Sequence, residues 1–318
     1  MDKDSKIYVA GHNGLVGKAL CRKLESDGYK NLLKASRSEL DLCNQEATFD
    51  FFESEKPEYV FLAAARVGGI HINNIQPADF IYDNLAISMN VIECSRRYGV
   101  KKLLYLGSSC IYPKHTAQPI HEDALLTGEL ESTNHCYALA KIAGLKMCAA
   151  YNRQHGTNFL TVMPTNLYGP EDNFNLETSH VLPALLRKCH EAKVAGDAVM
   201  SIWGSGTPRR EFLHVDDLAD ACVYLMNSKD ASDLDGHVNI GTGEDLSIRD
   251  LAELIQKVVS FEGALSFDAS MPDGTPRKLL NVDKMNALGW KATRDLEEGI
   301  TDTYQWYLSS LATQQGVS

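Results

Sequence analysis

A chain of 318 residues is long enough for one large domain or two smaller ones, and 44% hydrophobic with 23% charged residues is the balance of a water-soluble globular protein. A net charge of −11 argues against a surface built for nucleic acid, although it leaves room for local basic patches. No stretch approaches the roughly 18 uninterrupted apolar residues of a membrane helix, and the polar opening Met1-Asp2-Lys3-Asp4-Ser5-Lys6 is not a secretory signal, so no membrane association is expected. The eight cysteines hold no Cys-x-x-Cys pair and the ten histidines no His-x-x-x-His, so a reduced, cytoplasmic protein without metal or disulfide framework is expected.

Ile7-Tyr8-Val9-Ala10 reads as a short buried strand, and residues 18–24 have helical periodicity. Between them, Gly11-His12-Asn13-Gly14-Leu15-Val16-Gly17 spaces its glycines as G-x-x-G-x-x-G. Such a turn lets backbone approach a pyrophosphate while helix N-terminal amides face the anion, which predicts dinucleotide binding. A second strand over residues 32–37 ends in Arg37, flanked by Ser36 and Ser38, where an NAD site would place an acid on the ribose 2′-hydroxyl. An arginine suits a 2′-phosphate, so the expected cofactor is NADP(H), with Asp41 and Leu42 on the loop that would pass under its adenine.

Residues 59–65 form an apolar strand that runs into Ala63-Ala64-Ala65, small enough for a flat cofactor to lie close. The loop Arg66-Val67-Gly68-Gly69-Ile70 follows, then a helix from about 77 to 98 that is apolar on more than one face, its second face suited to a subunit interface. The strand over residues 102–106 delivers Gly107, Ser108, Ser109 and Cys110 to the sheet edge where α/β proteins bind ligands. A helix over residues 136–151 then carries Tyr137 and Lys141, four apart and therefore on one face. An ammonium beside a phenol favours phenolate, so Tyr137 is expected to exchange protons near neutral pH and to protonate an oxygen as hydride reaches its carbon. Lys141 would give electrostatic support and Ser108 the hydroxyl partner. Alone, a Tyr-x-x-x-Lys is common in ordinary helices; the glycine turn and Ser108 are what raise this one above them.

A strand over residues 158–163 is closed by Pro164-Thr165-Asn166-Leu167-Tyr168-Gly169-Pro170. Beyond it the character changes: residues 171–180 are polar and loop-like, 181–192 helical, 199–203 a strand, and 204–208 a turn. Asp216 or Asp217 is the expected cap of a helix over 218–227. A short strand over 238–241, a helix over 248–259 and a basic turn from Asp273 to Lys278 complete the reading.

Gly11-x-x-Gly14-x-x-Gly17, Ser108, Tyr137-x-x-x-Lys141, Pro164-x-Asn166-x-Tyr168-Gly169-Pro170 and Arg210-x-Phe212-x-His214-Val215-x-Asp217 together resemble the extended short-chain dehydrogenase/reductase family. Four further strings are similar to those of its GDP-sugar epimerase-reductases, and the resemblance covers nearly the whole chain. They are Ala63-Ala64-Ala65-Arg66-Val67-Gly68-Gly69-Ile70, Gly107-Ser108-Ser109-Cys110-Ile111-Tyr112-Pro113-Lys114, Trp203-Gly204-Ser205-Gly206-Thr207-Pro208 and Pro272-Asp273-Gly274-Thr275-Pro276-Arg277-Lys278.

The resemblance implies an α/β fold: a Rossmann-type doubly wound parallel sheet with a smaller, interleaved α/β substrate domain. Residues 1–170 plus about 214–245 would bind NADP, and about 171–213 plus 246–318 the GDP-sugar. It implies a homodimer through a four-helix bundle drawn from helices near residues 85–98 and 137–153. It also implies 3,5-epimerisation and NADPH-dependent 4-reduction of GDP-4-dehydro-6-deoxy-D-mannose to GDP-L-fucose. Inverting a carbon needs a base on one face and an acid on the other. Cys110 and His180 are the family's pair, with the base at each carbon left open. The cofactor site would extend to Ala64, Leu106, Gly107, Lys141, the run Pro164-Thr165-Asn166-Leu167, and His180. Lys188 and Arg210 would meet the diphosphate, Lys188 as a point charge where an arginine would bind in two places. Trp203 would pack on base or sugar, Asp273 and Lys278 would contact the guanosine end, and Ser109 would touch the sugar.

Three other activities fit the sequence less well. A UDP-hexose 4-epimerase would keep NAD and need neither Arg37 nor the Cys110 and His180 pair. A GDP-mannose 4,6-dehydratase would want a carboxylic acid where Ser109-Cys110-Ile111 stands. A non-catalytic NADP sensor would have no need of Ser108, Tyr137 and Lys141 together.

Overall fold

The computed structural model describes residues 1–271 and 273–315. Pro272, part of one family string, and residues 316–318, the end of the expected second domain, lie outside them. Apolar runs of four to six residues form β1 (Ile7–Ala10), β3 (Tyr59–Leu62), β4 (Lys102–Leu106) and β5 (Phe159–Pro164). With the shorter β2 (Leu32–Leu33) and the late strand β10 (His237–Ile240), they make one six-stranded sheet in the order β2-β1-β3-β4-β5-β10, parallel throughout. Strands buried on both faces read as continuous hydrophobic runs, which is why alternation is absent here. The strand order reverses between β1 and β3, so the ligand crevice lies at their carboxyl ends. Register levels that edge: Ala10 stands opposite Leu62, Leu62 opposite Tyr105, and Leu106 opposite Val162.

One sheet face is covered by α1 (Leu15–Ser26) and α7 (Val215–Ser228), whose Leu20, Leu24, Leu218 and Cys222 pack on Val9, Leu104 and Val162. The other is covered by α2 (Gln45–Glu55), α4 (Pro77–Arg97) and α5 (His135–His155), bringing Phe52, Val91, Ile142 and Leu145 onto Tyr8, Val60 and Leu103. Each such fully buried side chain contributes roughly 1.5–3 kcal/mol of transfer free energy. Of the short helices, α3 (Ile70–Ile75) packs on α4, α8 (Ala231–Leu234) on β5 and α10 (Asp283–Ala287) on the edge strand β10.

A second apolar cluster lies beyond the carboxyl edge, built on α6 (Val181–Ala195), α9 (Ile248–Val259) and α11 (Leu296–Gln315) around Leu186, Leu251, Ile255 and Ile300. It carries small sheets. Strand β7 (Val199–Trp203) pairs with β12 (Ala264–Asp268), and β6 (Asn166–Tyr168) pairs with β9 (Phe212–His214). Strand β8 (Arg209–Arg210) lies between β11 (Leu246–Ser247) and β13 (Arg277–Lys278). The chain returns to the main sheet for α7 and β10. Met285 and Trp290, from the later stretch, also join the main core.

The two layers meet at Glu211, which is fully buried between β8 and β9. Its carboxylate accepts backbone N–H groups from Thr242 and Gly243 at 2.7 and 2.8 Å and from Leu280 at 3.0 Å. Its own carbonyl accepts from the Asn166 side chain at 2.8 Å. Burial pushes the carboxyl above the usual carboxylate range, and the hydrogen bonds to the backbone oppose that rise.

Several expectations are corrected. Strand β2 stops at Leu33, because Glu39 accepts both the backbone N–H and the hydroxyl of Ser36 at 2.7 Å and turns the chain. Helix α7 begins at Val215, and its cap is His214, whose Nδ1 accepts the Asp216 N–H at 3.2 Å. Asp216 and Asp217 sit inside the first turn instead, Asp216 on Arg22 at 2.7 Å and Asp217 accepting N–H from Thr293 and Arg294. Helices α2 and α11 have no counterpart in the sequence reading. In α2 the adjacent Phe51 and Phe52 break a clean helical period, and the cap at Asn44 carries the signal.

Gly144 is the close-contact point between the Tyr137 helix and the sheet: a Cβ there would collide with the Tyr105 phenol. Gly144→Ala is expected to lower stability by about 1–3 kcal/mol through overpacking, read by denaturant unfolding.

Candidate active site

The glycine turn is built by two close approaches. Gly11, at φ +86°, lies so near β3 that a Cβ would stand 2.7 Å from Ala64 Cα, and a Cβ on Gly17 would collide with the Gly11 carbonyl. Gly14 is different: its Cβ direction meets only the Gly11 carbonyl, at 3.5 Å, and opens toward the crevice. The turn therefore fits a dinucleotide pyrophosphate, and the buried His12 Nδ1 has no hydrogen-bond partner of its own. Asn13 is exposed beside it, and Leu15 and Val16 begin α1. Arg37 is exposed, and among the described residues no carboxylate pairs with it. Asp41 is exposed and its side chain accepts the Cys43 N–H at 3.0 Å; the Leu42 side chain is committed to the core. Pro164 ends β5, Thr165 and Asn166 are held by Glu211, and Leu167 lies in β6.

On α5 the Lys141 side chain turns inward, is 3% exposed, and donates to the Leu106 carbonyl at 2.9 Å. Its ammonium lies 5.8 Å from the Tyr137 ring centre and 5.2 Å from that of Tyr105. Burial brings Lys141 down to about 8, with the neighbouring Cys110 acting to raise it. The expectation for Tyr137 needs correction. Desolvation pushes its phenol well above the ordinary range, Cys110 and Tyr105 add to the rise, and contact with Ser108 only opposes it. Tyr137 is thus held protonated, the form an acid requires, and Lys141 is the more readily titrated partner.

After β4, Gly107 passes under Met163, where no side chain would fit. Ser108 caps a single 3₁₀ turn over Ser109–Ile111, and its Oγ lies 2.8 Å from the Cys110 sulfur. Ser109 is buried; Ser108 and Cys110 are partly exposed to the crevice. His180 is the exposed N-cap residue of α6. The segment ahead of it is tied to the loop after β3 by Gly69 N–H on the Thr178 carbonyl at 3.2 Å. The surrounding protein disfavours its imidazolium, and the charge of Lys278 acts the same way.

The remaining candidates line the second layer. Lys188 lies 5.1 Å over the ring of Trp203, which is 66% exposed. Arg210 donates to the Thr275 and Arg209 carbonyls at 2.5 and 2.8 Å. Asp273 accepts from the Ser205 N–H and hydroxyl at 2.9 and 2.7 Å. Lys278 lies deeper, in charge range of Cys110, Arg210 and Glu131.

Sequence reasoning missed Glu211, Tyr105 and Asp172. Asp172 has a buried, unpartnered Oδ2, and burial raises its carboxyl to about 7. Nothing in spacing marks these residues, although Glu211 stands inside a family string.

A parallel sheet with this crevice, cradle and tyrosine–lysine helix defines a nucleotide-dependent enzyme acting at a carbonyl. The chain belongs to the NAD dependent epimerase/dehydratase family, whose pattern matches residues 7–241. It is 56% identical to GDP-L-fucose synthase 1 of Arabidopsis thaliana, covering 98% of this chain and 96% of that one. Its fold matches a GDP-6-OMe-4-keto-L-xylo-heptose reductase from C. jejuni with TM-score 0.94 and 43% identity, over 98% and 99% of the two chains. It also matches a GDP-L-fucose synthetase from Naegleria fowleri bound to NADP, with TM-score 0.90 and 32% identity over 98% and 95%.

The charged form of Lys141 is the one that stabilises an oxyanion, so kcat/KM for ketone reduction is expected to fall as pH rises through about 8. Lys141→Arg should move that limb upward, and Lys141→Met should cost roughly 100-fold or more in rate. A pH–rate series on the three proteins measures both.

Proposed function

We propose that this chain is an NADP-dependent oxidoreductase with epimerase activity that converts GDP-4-dehydro-6-deoxy-D-mannose to GDP-L-fucose. The carrying observation is the placement of Cys110, 2.8 Å from the Ser108 hydroxyl, in charge range of both Tyr137 and Lys141. A second acid/base group at a carbonyl site is what inversion beside a ketone requires and simple reduction does not.

The cradle Gly11, Gly14 and Gly17 with Arg37 would hold NADPH, which when bound supplies the hydride for C4. Tyr137 and Ser108 hold the C4 oxygen. During epimerisation they stabilise it as an enolate, because the carbon-bound protons at C3 and C5 are acidified by the ketone. Cys110 and His180 serve the two faces of those carbons. During reduction Tyr137 delivers its proton to the same oxygen, and Lys141 holds a positive charge beside the phenol. Arg210 and Lys188 meet the diphosphate, and Trp203 packs against base or sugar. Residues 1–170 with about 214–245 form the NADP-binding domain, and about 171–213 with 246–318 the GDP-sugar domain. The separate apolar cluster around Leu186 and Leu251 supports that division.

The protein acts as a cytoplasmic homodimer. All eight thiols are free, which suits a reducing compartment. Tyr82 and Met89 of α4, 69% and 51% exposed, and Leu139 of α5, 43% exposed, supply apolar surface on the two helices that would form a four-helix bundle. Met89→Lys combined with Leu139→Lys is expected to halve the mass seen by light scattering.

A second reading, reduction at C4 of a larger GDP-keto-sugar without inversion, is favoured by the likeness to the heptose reductase. Loss of nicotinamide absorbance with GDP-4-dehydro-6-deoxy-D-mannose and its UDP analogue, followed by sugar analysis, separates the two. We expect oxidation with the GDP sugar alone and GDP-L-fucose as product, with inversion impaired in Cys110→Ser. Arg37→Ala should weaken NADPH about tenfold while leaving NADH unchanged. Reduction without inversion in the wild type would support the second reading, and no oxidation by folded, NADPH-binding protein would sink both.

A further inference from the structure

Lys141 carries its ammonium in a place where the protein offers few partners. It is buried, it donates to the Leu106 carbonyl at 2.9 Å, and among the described residues it pairs with no carboxylate. The ionisable groups that face it are Tyr137 from its own helix, Tyr105 from β4 and Cys110 from the turn after β4. An ammonium has three donors, and a cation taken out of water gives up its proton readily unless something nearby favours the charge. Burial draws Lys141 down to about 8 for that reason.

What stands beside it is the face of an aromatic ring. The ammonium lies over the Tyr105 ring, 5.2 Å from its centre, inside the roughly 6 Å over which a ring face attracts a cation. That ring is fixed from several sides. Tyr105 is inaccessible to solvent in β4, paired with Leu62 on one flank and Thr161 on the other. Against α5 it fills the space left by Gly144, about one turn beyond Lys141, where a Cβ would collide with the phenol. Its hydroxyl meets Ser88 of α4 at 3.3 Å and the Lys141 carbonyl at 3.4 Å. Both contacts are long for a hydroxyl, so the ring owes its place to packing more than to hydrogen bonding. Burial also pushes the Tyr105 phenol well above its ordinary range, so it stays neutral and offers a π face in place of an anion.

We propose that Tyr105 is a positioning residue for Lys141: the face of its ring holds the ammonium at the Leu106 carbonyl and favours its charged form. A neutral ring suits this task better than a carboxylate. It stabilises the cation without placing beside it a fixed negative charge that would compete with an oxyanion on the substrate. Only the charged form of Lys141 supports such an oxyanion, so the ring sets how far toward alkaline pH the site keeps working. The rate readout below rests on the reduction proposed above, whereas the titration of Lys141 does not.

The test compares wild type with Tyr105→Phe and with a trifluorinated phenylalanine at the same position. The two replacements keep the shape of the ring, while fluorine withdraws the negative charge from its face. Lys141 is titrated by NMR through its Cε carbon in lysine-labelled protein without substrate, the signal being assigned by its loss in Lys141→Arg. Melting curves confirm that each variant is folded. Tyr105→Phe is expected to leave the Lys141 titration in place, and the fluorinated ring to lower it by roughly half to one pH unit. The alkaline limb of kcat/KM with the GDP-keto-sugar should move down by the same amount, with equal rates in all three proteins at pH values where Lys141 is fully charged. Equal titrations with the plain and the fluorinated ring would overturn the proposal, whatever sugar the enzyme accepts, and leave Tyr105 a packing residue. A fall in Tyr105→Phe as large as that in the fluorinated protein would assign the effect to the hydroxyl and overturn it too. A lowered titration with the fluorinated ring alone, but no turnover of the sugar, would uphold the proposal and sink the substrate reading.

Discussion

The structure depends on a carboxylate buried where the two layers join. Glu211 is inaccessible to solvent, yet it neighbours arginines in β8 and pairs with none of them. It spends its oxygens on three backbone N–H groups from the turn after β10 and from Leu280. A charged acceptor with three amide donors is among the stronger hydrogen-bonded arrangements available to a protein. Leaving those amides unpaired in a buried site would cost about 1–3 kcal/mol each. Through one residue the carboxyl edge of the main sheet is thereby fixed against the strands bearing Arg210 and Lys278. Gly241 must lack a side chain for the same reason, because a Cβ there would strike the Glu211 carboxylate.

That rigid seam gives the site its electrostatics. Lys141 and Tyr137 come from α5, Cys110 and Ser108 from the turn after β4, His180 from α6 and Lys278 from β13. Desolvation lowers Lys141, His180 and Lys278 and raises Tyr137, so the resting site favours neutral groups over charges. In such a weakly screened site, charge formed on a substrate oxygen is felt strongly by the groups around it. Tyr137 and Cys110 are also linked: a thiolate in range makes the phenol hold its proton more firmly, which keeps the two from ionising together.

The parts most legible in the sequence were those set by local rules. The glycine spacing marked the cradle, because Gly11 and Gly17 stand where any Cβ would collide with backbone. The Tyr137 and Lys141 spacing marked one helix face, and the apolar runs marked β1, β3, β4 and β5. Elements set by competition were read less well. His214 took the cap from Asp216 and Asp217 because Arg22 and the Thr293–Arg294 amides claimed those carboxylates, partners remote in sequence. Strand β2 was shortened by the Ser36–Glu39 turn, and α2 was hidden by adjacent phenylalanines that both pack on Tyr8 of β1.

The sequence by itself determined the class of fold, the glycine turn, the helix that carries Tyr137 and Lys141 and, through resemblance, the kind of chemistry. Each of these is encoded in residues within a few positions of one another. Only the tertiary structure decided the protonation bias of Tyr137, the role of Glu211 as the seam, and the company of Lys141. Those depend on burial and on groups brought together from separate elements, as Tyr105 of β4 is with Lys141 of α5. Desolvation and Coulomb interaction act through space, and spacing along the chain carries no record of them.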